Sequence, residues 1–205
     1  YYKKGITILN KSFDAAVANK FKKKFKLVSA IAMFYDLEDP IKFCKNVERI
    51  LDKNGIFHVE IAYLPDIFKK FSFDTFCQEH LTYYSMISFK NLLKKTKLKI
   101  HDYERNTING GSINFDLVFN DSNFIPKKNK IKKLYSSEKK KNFHKVLTYK
   151  KYFKKIDSNI KKINSTIDKI SKKSKKIYCF GASTKGNVTL QLCNLDNKKI
   201  NAIYD

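Results

Sequence analysis

Of the 205 residues, 42% are hydrophobic and 14% aromatic, enough to bury a core in one or two domains, so the high charge does not mean disorder. The net charge of +24 invites a polyanion partner, yet among the 43 basic residues only Arg49 and Arg105 are arginines. Lysine is a hydrated point charge that does not read guanine bidentately, and these lysines run through the whole chain instead of marking one face. A solvated basic surface is therefore expected, with no nucleic-acid partner, and its charge should speed the approach of an anionic small molecule. No apolar run is long enough to cross a bilayer and no signal-peptide pattern opens the chain, so the expectation is a cytoplasmic protein without a membrane partner. Cys44, Cys77, Cys179 and Cys193 form no CxxC pair, and neither a zinc site nor a disulfide framework is readable.

The stretch "KLVSAIAMFYDLEDP" reads as a buried strand over Leu27 to Met33 that runs into a polar loop. Asp39 followed by Pro40 is a helix start, and Phe43, Cys44, Val47, Ile50 and Leu51 recur at helical spacing until Gly55, which is expected to stop the run. "IFHVEIAYLP" is the next strand, with Glu60 near its carboxyl end. Strand, helix, strand in this rhythm is a βαβ unit of an open parallel sheet, whose ligands bind beyond the carboxyl ends of the strands. Glu60 and the loop Phe34 to Asp39 would both lie there.

After "FDTFCQEHLTYYS", Ser88 is expected to cap a short helix through Leu92 and Leu93. "KLKIHDYER" and "SINFDLVFN" alternate apolar and polar residues around the turn "NTINGG", which predicts an antiparallel pair closing the sheet. Tyr149, Tyr152, Phe153, Ile156, Ile160, Ile163, Ile167 and Ile170 then step by threes and fours, one apolar seam on a long lysine-rich helix. "KKIYCFGASTKGNVTLQLCNLDNKKINAIYD" starts again as strand, glycine turn, helix and strand, the opening of a second α/β unit. Two strands cannot cover their own faces, so the chain is expected to be cut at both ends of a longer pattern.

"SAIAMFYDLEDP", "FDTFCQEHLTYYS", "INGGSINF" and "YCFGASTKGN" resemble, in the same order, four blocks of the S-adenosylmethionine-dependent C-methyltransferases that act on nucleotide-linked sugars. The likeness runs through nearly the whole chain. It implies an incomplete Rossmann-like methyltransferase sheet, a lysine-rich helix and the start of a second α/β domain. In residues, 1–125 would be the C-terminal part of the methyltransferase domain, 126–176 the connector, and 177–205 the beginning of a nucleotide-sugar-binding domain. The family's zinc module, glycine-rich cofactor loop and ribose-binding acid would all lie upstream of Tyr1.

The family's usual His-Glu-His signature here reads Gln78-Glu79-His80, which keeps the proposed general base as His80 and the acid as Glu79. Gln78 can hydrogen-bond but cannot titrate. The implied chemistry removes a proton beside a sugar ketone, so that the resulting enolate attacks the methyl donor. That needs a base of near-neutral pKa, donors for the enolate oxygen and alignment of the reacting groups. His80 suits the first task. Tyr83 and Tyr84 are candidate donors and equally candidate packing aromatics. The resemblance also places Met33, Phe34 and Tyr35 beside the cofactor, and Gly110, Gly111 and Ser112 near substrate together with Glu60.

"GASTKG" follows a strand and opens a helix, an arrangement that cradles phosphate on backbone N–H groups. Ser183, Thr184 and Lys185 are the candidates to meet the diphosphate of a nucleotide sugar, and a plain strand-to-helix turn is the alternative. His58, His101 and His144 match nothing. Two other readings stay open from the sequence: an inactive remnant without cofactor binding, and a basic nucleic-acid-binding protein.

Overall fold

The computed structural model describes residues 5–173 and 176–205. Asp14 opens α1 (Ala15–Lys20) by accepting the Val17 N–H at 2.8 Å, and the chain then enters β1 (Phe25–Ile31). β1 stops two residues earlier than its apolar run predicts, because Ala32 turns into the left-handed region at φ 53° and leads into a short 3-10 turn at Phe34–Asp36. α2 (Pro40–Ile50) begins where Asp39 and Pro40 place it, with the Asp39 carboxylate accepting the Lys42 N–H at 2.8 Å.

Gly55 does not end this helix. β2 (Leu51–Ala62) starts directly after α2, and Gly55 lies inside it at an irregularity in its pairing with β1. A Cβ at Gly55 would stand 2.8 Å from the Phe25 carbonyl oxygen, so the glycine answers to a close backbone approach and not to a helix stop. Along β2 the even–odd alternation is clean: Phe57, Val59 and Ile61 are fully buried, while His58 and Glu60 face the other side and are half-buried.

α3 (Leu64–Lys70) ends on Phe71 in the left-handed region, and a 3-10 turn at Phe73–Thr75 follows. α4 (Met86–Leu93) is capped by Ser85, not Ser88; Ser88 is its reciprocal partner three residues on, and each side chain meets the other's backbone N–H. The next two N–H groups of α4, Met86 and Ile87, donate to the buried carboxylate of Glu138 at 2.8 and 2.9 Å. β3 (Leu98–Asn106) and β4 (Ser112–Phe119) pair antiparallel as their alternation predicts.

The sheet runs β1-β2-β4-β3, with β1 and β2 parallel and the other neighbours antiparallel. It is a mixed sheet, and β1–α2–β2 is the Rossmann-like crossover. One face packs against α2 and α4 over Phe34, Phe57, Phe89 and Phe115, the last two rings stacked at 4.4 Å.

α5 (Lys128–Lys140) and the 26-residue α6 (Val146–Ser171) carry the lysine-rich stretch, with Asn142 at φ 60° in the reversal between them. The apolar seam of α6 is fully buried only near its start, at Tyr152 and Ile156, while Ile160, Ile163 and Ile167 are partly covered and Phe153 is half exposed. Tyr152 lies flat on Phe68 with ring centroids 3.8 Å apart. Ser174 and Lys175, at the expected end of the connector, lie outside the described residues. β5 (Tyr178–Phe180), α7 (Thr184–Leu192) and β6 (Ala202–Tyr204) form the second unit, its two strands parallel. No described helix is long and apolar enough to cross a membrane.

Candidate active site

Between the 3-10 turn at Phe73–Thr75 and the cap of α4, the chain forms no regular element, and backbone contacts hold it in place. Thr82 N–H donates to the Tyr35 carbonyl at 3.0 Å, and Leu64 N–H to the Tyr84 carbonyl at 2.9 Å. The Tyr83 hydroxyl crosses the loop to the Thr75 carbonyl at 3.1 Å. These ties present one side of the loop, Asp74 to His80, toward the carboxyl ends of β1 and β2.

The His80 ring stands edge-on to Tyr35 at 4.5 Å and to Tyr83 at 5.9 Å. Its Nδ1 is buried without a hydrogen-bond partner among the described residues. The ring borders a cavity of about 190 Å³, walled on one side by Asp74, Thr75, Cys77 and Glu79 and by Tyr35 and Ala62 at the sheet end. Thr184 and Lys185, from the start of α7, close the opposite side. Ser183 caps that helix, accepting the Gly186 N–H at 3.4 Å, and Gly181 ahead of it sits at φ 100°. The turn thus aims the helix's first residues, its positive end, at the His80 loop.

Burial raises the Tyr35 phenol, with the Asp36 carboxylate adding to the effect, so Tyr35 stays a proton donor at neutral pH. Burial also raises Asp36, against the opposing pull of His80. The cavity wall therefore combines a hydroxyl, an imidazole, a thiol and carboxylates, faced by one ammonium group and a helix N-terminus. That set can move a proton at a bound carbon acid and hold an anionic group a short distance away.

His80, Glu79, Tyr35, Thr184 and Lys185 come together at this cavity. Tyr83 braces the loop, because its hydroxyl is committed to Thr75, and burial pushes its phenol up to about 12. Tyr84 belongs to the core beside Phe34 and Phe89, and burial raises it likewise to about 12. Phe34 is completely buried there, so no face of it is left for a ligand. Met33 is half-buried along the groove beside β1, and Glu60 lies two residues before Ala62 on the same face of β2.

The glycine turn serves packing. Gly111, at φ 132°, lets Asp66 approach, and Ser112 is buried with its hydroxyl donating to the Ile108 carbonyl at 3.1 Å. Gly110, at φ 89°, faces the Ser72 side chain. Asp74, Thr75 and Cys77 also line this cavity, and all three lie in the motif "FDTFCQEHLTYYS" without a residue-type signal of their own. Glu138, hidden among lysines, carries none either.

Residues 107–205 match the family described as C-methyltransferase C-terminal domain. Over 210 aligned positions covering 98% of the chain, it is 24% identical to C-methyltransferase NovU of Streptomyces niveus. In both comparisons the chain is similar to C-methyltransferases. It spans 49% of the length of NovU. The C-methyltransferase match begins ahead of β4, so the four-stranded sheet shares a strand with the matched region. Among solved structures, LaPhzM aligns over 54% of this chain and 34% of its own, at 14% identity and a TM-score of 0.41. An S-adenosylmethionine-dependent methyltransferase from Clostridium acetobutylicum aligns over 48% and 60%, at 14% identity and a TM-score of 0.37.

Proposed function

We propose that this chain carries the proton-transfer and substrate-binding part of an S-adenosylmethionine-dependent C-methyltransferase that acts on a keto-sugar nucleotide. The observation that carries the reading is the meeting of His80 and Glu79 with Thr184 and Lys185 around one cavity, in a chain similar to C-methyltransferases.

In this reading His80 takes the proton from the carbon beside the ketone. Its place on the cavity wall supports that role, since a general base must reach the proton it removes. Tyr35, kept protonated by burial, donates to the enolate oxygen in place of Tyr83 and Tyr84, whose phenols lie off the cavity. Glu79 borders the same space and binds a sugar hydroxyl. Thr184, Lys185 and the first N–H groups of α7 meet the diphosphate, and Ser183 fixes that turn as its cap.

Met33 and Tyr35 fit one edge of the methyl donor: Met33 lines an apolar groove of about 480 Å³ along β1, and Tyr35 joins that end of the sheet to the cavity. When bound, S-adenosylmethionine supplies an electrophilic methyl group on a sulfonium. The chain's own task is to generate the carbon nucleophile and hold it still. The domain division follows the same reading: 1–125 and 177–205 contribute the two sides of the cavity and 126–176 connects them.

The test is solvent deuterium exchange at the carbon beside the ketone, run on the complete protein without methyl donor. His80→Ala should slow exchange by about 10²–10⁴-fold. Undiminished exchange would move the base elsewhere.

A further inference from the structure

Thr75 is 94% buried, being 6% exposed, and its backbone is fully engaged. Its N–H donates to the Ser72 carbonyl at 3.2 Å, and its carbonyl accepts the Tyr83 hydroxyl at 3.1 Å. Its Oγ1, by contrast, is buried with no hydrogen-bond partner among the described residues, and Thr75 is one of the residues that line the His80 cavity. An unpaired buried hydroxyl is a standing cost to the folded chain, and one that borders a cavity is relieved when a polar ligand atom enters. His80, whose Nδ1 is also unpartnered among the described residues, lines the same cavity.

The two walls differ in kind. Asp74, Thr75, Glu79 and His80 offer short-range hydrogen bonding suited to a polyhydroxylated ring, while Lys185 and the α7 start offer positive charge. At about 190 Å³ the space is smaller than the roughly 300–1,000 Å³ that encloses a whole drug-sized ligand, so it takes one group of a larger molecule.

We propose that Thr75 is a substrate-binding residue whose Oγ1 hydrogen-bonds an oxygen of the sugar ring and so selects the ring held against His80. This role rests on the sugar-nucleotide reading of the cavity. It leaves the diphosphate to the opposite wall. Removing the hydroxyl should therefore weaken ring binding without touching diphosphate binding.

The experiment compares the full chain with Thr75→Val and Thr75→Ser, using UDP-glucose and dTDP-glucose as probes and UDP and dTDP as ring-free controls. Calorimetry should show Thr75→Val binding the sugar nucleotides about tenfold more weakly while the diphosphates bind as before. Thr75→Ser, which keeps the hydroxyl, should stay within about threefold of the unsubstituted chain. Without ligand, Thr75→Val should melt at the same temperature or higher, since it removes an unpaired buried polar group. A lower melting temperature would show the hydroxyl to be structural and overturn the proposal. Equal weakening of sugar nucleotides and diphosphates, or no weakening, would overturn it too and leave the nucleotide-sugar reading standing. Failure of the unsubstituted chain to bind any probe would overturn that reading itself, and the ring-binding role of Thr75 with it.

Discussion

The Tyr63 hydroxyl donates to Glu138 Oε1 at 2.6 Å, and both residues are 1% exposed. Burial and the neighbouring carboxylate raise the Tyr63 phenol, which therefore stays the donor. With the Met86 and Ile87 N–H groups on the same carboxylate, one side chain ties the end of β2, the start of α4 and α5 together. Glu138→Ala leaves three buried donors unpaired and should cost about 3–5 kcal/mol in urea unfolding. Glu138→Gln keeps the shape and part of the acceptor capacity, and should cost about 1–2 kcal/mol. A loss below about 1 kcal/mol for the alanine variant would mean that water replaces the carboxylate.

Asp102 predicts an acid limb. Burial alone would raise its carboxyl, but hydrogen bonds from Lys127 at 2.6 Å and Lys130 at 2.7 Å prevail and hold it at about 2. The unfolded chain, with the ordinary carboxyl value of 3.8, binds the proton first as pH falls. The stabilisation is therefore complete above about pH 4 and disappears as the pH drops through about 2. Melting temperatures from pH 6 to pH 2 should fall less steeply in Asp102→Asn than in the unsubstituted chain, and the variant should melt a few degrees lower at pH 6. Parallel curves would assign no pairing energy to these lysines.

Gly111→Ala should be severely destabilising. The backbone sits at φ 132°, which side-chain-bearing residues rarely adopt, and the new Cβ would lie 2.8 Å from Asp66 Cβ. Asp66 is buried and ion-paired with Arg105, whose guanidinium lies 5.0 Å from the Tyr63 ring centre, so the clash cannot be relieved by swinging the carboxylate outward. A loss of roughly 2–4 kcal/mol is expected from chemical denaturation. Gly110→Ala has open space around it and should cost less, through its backbone angle alone.

At the proposed site, Glu79→Gln should reduce deuterium exchange less than His80→Ala, because an amide keeps part of the hydrogen bonding. Gln78 is exposed and does not line the cavity, so Gln78→His should leave exchange unchanged or raise it. A collapse of exchange in Gln78→His would mean that this position sets the shape of the loop.

What could be read in advance was what local chemistry decides. Asp39 and Pro40 specify the start of α2 through bonds within one turn, and the alternation of β3 and β4 specifies their pairing. Gly55 looks like a helix stop in sequence, but its reason is tertiary: the Phe25 carbonyl that excludes a side chain lies about 30 positions away. Ser88 reads as the cap from sequence because both partners of the reciprocal cap are serines. Glu138 sits in a lysine-rich helix that looks solvated all round, and only the docking of α5 on α4 buries it. The encounter of His80 with Lys185 spans more than a hundred positions; no spacing encodes it, and the family resemblance alone made the two stretches worth comparing. Phe34 and Tyr84 show the limit of that resemblance, since a motif can be matched and still contain core residues.

The 26 residues of α6 make a rod about 39 Å long, rooted where Tyr152 lies on Phe68 and Phe76 touches Phe153. Such a rod is a lever. A tilt of about 3° at its root moves its far end by roughly 2 Å, and Lys185 follows shortly after that end. Displacements of about 1 Å at reacting groups can change rates by about 10²-fold. Substitutions at the root, remote from any proton transfer, are therefore expected to register at the proposed site.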